Sequence, residues 1–249
     1  MSNKQHYDYT CSTFNPNGKI FQVEYAQAAA NFGSICLGLK NKTHAVLVSL
    51  KRSQNELSGY QDKIFKIDDN MGMALAGLTA DARLLCKYMR NECLNHRYVY
   101  QTEFPLQRMV EKISTKAQKK TQTYFNRPYG VSLLIAGHDQ AGPHIFLTDP
   151  SGNYNEFEAY SIGARCQTAR TYFEDVVSEL QETSLDELIL HGLKALQKAS
   201  SEDDKLTKQN VEISVIGKNQ SFKKFEENEL EQWINKLGQQ GGDKMEEEN

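Results

Sequence analysis

Thr13-Phe14-Asn15-Pro16-Asn17-Gly18-Lys19-Ile20-Phe21-Gln22-Val23-Glu24-Tyr25-Ala26, entered from Tyr7-Asp8, couples a polar arm to a turn and a short helix. Asn15-Pro16-Asn17-Gly18 suits a type I turn, with Asn at the first position, Pro fixing φ at the second and Gly at the fourth. A helix is expected directly after it. Phe21, Tyr25, Ala28 and Phe32 fall at helical spacing on one face, and Ile20, Val23, Gln27 and Ala30 on another that is also largely apolar. A short helix with two apolar faces needs two surfaces to pack on, which makes it either a buried N-terminal helix or a helix wedged between its own domain and a neighbouring subunit.

The 249 residues, 39% hydrophobic, suffice for one sizeable core. The net charge of −3 is unevenly spread: residues 226–249 hold eight acids against two bases, which leaves 27 bases against 24 acids elsewhere. A nearly neutral body lacks the basic stripe with interleaved aromatics that nucleic-acid binding needs. Lys116, Lys119 and Lys120 read as a solvated helix face. Cys11, Cys36, Cys86, Cys93 and Cys166 are odd in number, scattered and without C-x-x-C spacing, so reduced thiols are expected rather than a disulfide framework. No apolar run approaches the ~20 residues of a membrane span, and no signal-like start precedes the domain, so a soluble, unexported protein is expected.

Strand-like runs fill the segment after the first helix: Ile35 to Leu39, Ala45 to Leu50, Ile64 to Ile67 and Met71 to Ala76, read together as one antiparallel sheet. Thr79 is placed to cap a helix carrying Leu85, Met89 and Cys93, and Pro105 to open another with Leu106, Met109, Val110, Ile113 and Ala117 in register. Val131 to Ala136 and Ile145 to Thr148 form a hairpin, and Glu156 to Ser161 is expected to extend that second sheet. Helices return around Ala169, Phe173 and Leu180 and after the capping box Ser184-Leu185-Asp186-Glu187. Val211 to Ile216 closes the sheets, and Leu230, Trp233, Ile234 and Leu237 mark a last helix. Strands and helices segregated in this way predict an α+β architecture of two stacked sheets with helices outside.

The opening run resembles the N-terminal signature of proteasome core-particle alpha subunits, in order and spacing. The likeness continues through Gly33-Ser34, Gly77-Leu78-Thr79-Ala80-Asp81-Ala82-Arg83, Arg127-Pro128-Tyr129-Gly130-Val131, Gly142-Pro143, Asp149-Pro150-Ser151-Gly152 and Ile162-Gly163, and covers residues 7 to about 235. Lys42 to Val48 and Leu84 to Leu94 most resemble the type-1 branch of the eukaryotic alpha subunits. The resemblance implies the four-layer αββα fold of N-terminal-nucleophile hydrolases. It divides the chain into a gate arm and turn (1–19), the main domain (20–237) and an acidic, disordered tail (238–249). It implies a hetero-heptameric alpha ring with neighbouring alpha subunits, contact with beta-ring subunits, and docking of a regulatory particle or other activators through their C-terminal tails. It implies ubiquitin-dependent and ubiquitin-independent protein degradation in cytoplasm and nucleus.

Active beta subunits use an N-terminal threonine whose free amine activates its own hydroxyl, with an acid and a lysine in support. The resemblance places the nucleophile at Ser34, behind residues 1–33, the acid near Leu50 and the lysine at Lys63. An acylated serine and a leucine cannot fill the first two roles, so no catalytic residue is assigned; an autoprocessed N-terminal-nucleophile amidohydrolase is the alternative. The resemblance assigns Tyr7, Asp8, Pro16 and Tyr25 to a gate cluster, and Lys63 with Gly33 to an activator-tail pocket in which a point cation meets a terminal carboxylate. Tyr9 stands where many relatives carry arginine, so a salt bridge from that arginine is missing. His138 and His144 could face each other across a hairpin, but no Cys or Asp cluster joins them and no metal is expected. No phosphate-binding loop occurs, and no cofactor is expected.

Overall fold

The computed structural model describes residues 7–53, 57–200 and 205–246, so positions 1–6 of the expected arm and 247–249 of the expected tail lie outside the described residues. Asn15 to Gly18 closes as a turn: the Gly18 N–H donates to the Asn15 carbonyl at 2.9 Å, and Gly18 takes a φ of +75°. The Asn15 side-chain oxygen also accepts from the N–H groups of Asn17 and Lys19, which locks the entry to α1 (Phe21–Asn31).

Four strands follow, β1 (Cys36–Lys40), β2 (His44–Leu50), β3 (Ile64–Asp68) and β4 (Met71–Gly77). Then come α2 (Thr79–Tyr100) and α3 (Leu106–Gln122), and the strands β5 (Val131–Asp139), β6 (Gly142–Thr148), β7 (Tyr154–Glu156) and β8 (Ala159–Ile162). The chain ends with α4 (Cys166–Leu180), α5 (Leu185–Ala199), β9 (Val211–Gly217), β10 (Gln220–Lys224) and α6 (Glu227–Glu246). Two five-stranded antiparallel sheets result, in the orders β10-β9-β2-β1-β8 and β3-β4-β5-β6-β7. This is the four-layer αββα sandwich expected.

Side-chain alternation sorts each strand between two layers. Leu37, Leu39, Val46, Val48 and Leu50 point to the helix layer with Phe173, Leu193 and Leu196, while Met71, Met73, Leu75, Leu133 and Ile135 meet Leu85, Met89 and Met109 on the opposite side. Wholly buried leucines such as Leu37, Leu39 and Leu133 each contribute roughly 1.5–3 kcal/mol of transfer free energy. The layer between the sheets holds smaller residues, among them Cys36, Ala45, Ala74, Ala76 and Ala136. A Cβ on Gly72 would fall 2.2 Å from the Phe222 ring, and one on Gly38 3.1 Å from Ile145.

Several expectations are corrected. The first four strands do not form one sheet: β1 and β2 pair with each other in one, β3 and β4 in the other. Each hairpin satisfies its own hydrogen bonds locally, so nothing in its pattern says which sheet it joins. Glu156 to Ser161 likewise crosses from one sheet to the other, with β7 pairing β6 and β8 pairing β1; Phe157 and Glu158 make the crossing, and Phe157 stacks on Tyr160. β10 was not foreseen; its Phe222 N–H donates to the Asp69 carbonyl at 2.6 Å and so ties the edge of one sheet to the β3–β4 turn of the other. Thr79 does not cap α2: Leu78 occupies that position in extended backbone without a side-chain cap, and Thr79 is the first helical residue. The Ser184–Glu187 capping box forms as read. The tail drawn from 238 continues α6 as helix to Glu246.

Candidate functional site

The α1 helix builds the base of the site. Its packed face carries Val23, Gln27 and Ala30, with Ala26 and Ala30 buried, and it lies against β4 and β5. Close approach requires glycine: a Cβ on Gly33 would sit 2.2 Å from the Gly77 nitrogen, and one on Gly77, at a φ of +118°, 2.3 Å from the Gly130 carbonyl. The other face remains open, with Tyr25 47% and Phe32 83% exposed. Two aromatic residues in water on a helix already seated by its opposite face are what an interface helix presents.

The arm returns onto that open face. The Tyr25 hydroxyl donates to the Asp8 carboxylate at 2.7 Å, and the Gln22 amide donates to the Asp8 carbonyl. The hydrogen bond to Asp8 raises the Tyr25 phenol above its ordinary pKa. Phe21 stacks on Tyr25 at a centroid distance of 6.1 Å. Of the four residues expected to cluster, Asp8 and Tyr25 meet; Tyr7 and Pro16 make no hydrogen bond or ring contact among the described residues, and Pro16 serves the turn. Tyr9 is 81% exposed.

Gly33 and Lys63 both line a cavity of about 200 Å³, together with Phe32, Ser34, Arg52 and Thr79. Arg52 and Thr79 were not foreseen, because neither carries a local signal and both reach the cavity only through sheet packing. The Lys63 side chain is buried: its ammonium donates to the Ser34 hydroxyl at 2.6 Å and to the Ser34 carbonyl. The Cys36 sulfur also lies within hydrogen-bond reach of this ammonium, so Ser34 and Cys36 together surround it. The Ser34 hydroxyl in turn donates to the Leu50 carbonyl at 2.7 Å. Burial pushes the Lys63 ammonium below its ordinary range, against the opposing pull of Cys36 and Glu212.

A half-buried latch, unread from the sequence, sits beneath this platform. Asp81 accepts from both terminal nitrogens of Arg127, at 2.6 and 2.8 Å, and from the Gly130 N–H at 2.9 Å. Burial alone would raise the Asp81 carboxyl, yet the guanidinium and the backbone N–H hold it below the usual range. Both partners lie in runs quoted above, but 46 positions separate Asp81 from Arg127.

The two histidines are not directly opposed across the hairpin. Gly137 is the register partner of His144, and His138 that of Pro143; His144 instead meets Glu156 at 2.7 Å and Asp139 at 3.2 Å. Among the described residues no group of three or more His, Cys, Asp or Glu is arranged to hold a metal ion, and no helix is long and apolar enough to cross a membrane. A larger cavity of about 750 Å³ between α2 and α3, lined by residues such as Tyr88, His96 and Phe104, contains none of the expected site residues.

Two family models match the chain: the proteasome subunit model over residues 30–216 and the N-terminal signature of the alpha-type subunit over residues 7–29. Among individual proteins, the proteasome subunit alpha type-1 of Dictyostelium discoideum is 48% identical over 94% of this chain and 95% of its own length. The probable proteasome subunit alpha type-6 of Schizosaccharomyces pombe is 44% identical over 96% of this chain and 88% of its own. The alpha type-1 subunit of Drosophila melanogaster is 42% identical over 88% and 80%, respectively.

Proposed function

The chain belongs to the proteasome subunit family as an alpha-ring subunit of the 20S core, and we propose that there it is catalytically inert, contributes to the gate and docks activators. The observation carrying the inert reading is the peptide bond before Ser34. Its carbonyl, on Gly33, accepts from the Ala164 N–H at 2.7 Å, and a Cβ on Gly163 would fall 2.6 Å from the Ser34 carbonyl, so the backbone of Gly163 and Ala164 closes off one side of the bond. Ser34 has no free amine, its hydroxyl is given to Leu50, and Leu50 carries no acid. The free amine and the acid of that mechanism are both missing, and Lys63, the one basic group at hydrogen-bond distance, donates to the Ser34 hydroxyl, which opposes the amidohydrolase alternative.

The gate reading rests on the open aromatic face of α1 and on the Asp8–Tyr25 hydrogen bond, which gives the arm a defined base. Neighbouring alpha subunits are the partners that would cover Tyr25 and Phe32, and beta-ring subunits complete the particle. The docking reading rests on the Lys63 cavity, small, glycine-walled on one side and carrying a buried cation. A regulatory particle or another activator inserting a C-terminal carboxylate would bring an anion to that charge. Residence in both cytoplasm and nucleus belongs to the same reading.

The intact mass of the natural chain taken from assembled particles tests inertness: residues 1–33 are expected to be retained, and a chain beginning at Ser34 would overturn it. For docking, assembled particles bearing Lys63→Met are expected to keep basal peptide hydrolysis and to lose stimulation by activators that dock through this cavity. Unchanged stimulation for every activator would refute the cavity's role.

A further inference from the structure

A carboxylate from the wrong sheet holds the Lys63 backbone. Glu212 on β9 is 1% exposed, and its Oε2 accepts from the backbone N–H groups of Lys63 at 2.8 Å and Ile64 at 3.1 Å and from the Ser49 hydroxyl at 3.1 Å. Its Oε1 is ion-paired with the Lys224 ammonium from β10. Register explains the placement: Cys36, Ser49 and Glu212 are consecutive partners across β1, β2 and β9, so they share the face turned toward the other sheet. Leu50, one position beyond Ser49, packs instead into the core shared with the helices.

A buried ammonium without an anion nearby sheds its proton or destabilises the fold. Three groups bear directly on the Lys63 charge from the surrounding elements. Cys36 of β1 is a thiol that burial pushes up and keeps neutral at pH 7, and Arg52, past the end of β2, is a cation. Glu212 supplies the anion, with Lys224 and Asp62, 3.3 Å apart, completing the network behind it. We infer that Glu212 is the positioning residue of the Lys63 cavity, an acid delivered from β9 in place of the one that Leu50 does not supply. It fixes the start of β3 through two backbone N–H groups and keeps the lysine a cation where a carboxylate ligand would meet it. The consequence for docking rests on the cavity reading above, whereas the coupling of Glu212 to Lys63 does not.

The test follows Lys63 itself by NMR of the full chain labelled with ¹³C-lysine, the signal being assigned by its loss in Lys63→Arg. In Glu212→Gln, which keeps an acceptor and removes the charge, the Lys63 titration midpoint is expected to fall by about one pH unit. In Lys224→Gln, which strips a cation from Glu212 and Asp62, the midpoint is expected to rise. An unmoved midpoint in Glu212→Gln overturns the assignment, as does a fall in Lys224→Gln, since mere loosening of the packing would move both variants the same way. Should Glu212→Gln not fold, Lys224→Gln is paired with Lys224→Arg, which keeps the cation: a rise in the first alone supports the assignment, and any other result ends it. A second arm uses assembled particles and a synthetic heptapeptide with a free C-terminal carboxylate, compared with its C-terminal amide. Wild type is expected to prefer the free acid, and Glu212→Gln to cut that preference by about tenfold. If the titrations shift as expected while wild type does not discriminate between the peptides, Glu212 stands as the positioning residue and the cavity's docking role falls.

Discussion

Replacing Asp81 by alanine removes the latch beneath α1, and its cost can be worked from the geometry. Asp81 is 4% exposed and accepts three hydrogen bonds, one from the Gly130 N–H, whose carbonyl already receives the Leu78 N–H at 2.9 Å. Orphaning that N–H in a buried setting costs about 2 kcal/mol. The Arg127 side chain is 60% exposed, so the ion pair adds only about 1 kcal/mol after solvent screening. The sum of about 3 kcal/mol corresponds to a melting temperature lowered by roughly 6–12 °C in a domain of this size. Asp81→Asn retains an acceptor for Gly130 and should lose only about 1 kcal/mol. Because the folded-state pKa of Asp81 is depressed, its charge stabilises the fold fully above the unfolded carboxyl value of about 4. That contribution is lost as pH falls through the lower folded-state value, so the gap between wild type and Asp81→Asn should narrow below about pH 4. Thermal melts of the full chain, at one protein concentration and across pH, measure both effects. A loss under 0.5 kcal/mol for Asp81→Ala, or a gap that widens in acid, would refute the reasoning.

Two further outcomes are expected. Gly33→Ala places a methyl 2.2 Å from the Gly77 nitrogen, a backbone atom that cannot swing aside, and should cost about 1–3 kcal/mol while displacing α1 and lowering incorporation into particles, read by native gel. Alkylation of the native chain with iodoacetamide should modify the partly exposed Cys166 first and leave Cys93 untouched until denaturation, its thiol being buried and pushed up to about 12; peptide mass spectrometry at pH 8 reads the order, and early modification of Cys93 would contradict its burial.

What the sequence discloses here is what chain neighbours decide. The Asn15–Gly18 turn, the Ser184–Glu187 box and the stripes of α2 and α3 all depend on contacts a few residues long, and each forms as read. The division of strands between two sheets depends on pairings such as β2 with β9, which the local pattern does not encode. Val211-Glu212-Ile213-Ser214-Val215 shows why the site was only half legible: the alternation suggests a strand with a solvated face, yet that face is sealed by a second sheet. Lys63 was found because a motif position pointed to it, whereas Arg52, Thr79 and the Asp81–Arg127 pair arrive at the site only once distant segments are folded together.

The crossing made by β10 has a bearing on the order in which this molecule can be completed. Phe222 covers Gly72 and hydrogen-bonds behind Asp69, while Lys224 neutralises Glu212, so the last strand of the chain fastens together segments made much earlier. During synthesis the β3–β4 hairpin can pair with β5 and pack on α2, but the backbone of Lys63 lacks its Glu212 acceptor until β9 and β10 have left the ribosome. The cavity is thus among the last parts of the subunit to acquire its shape. A nascent chain cannot offer it to a partner prematurely.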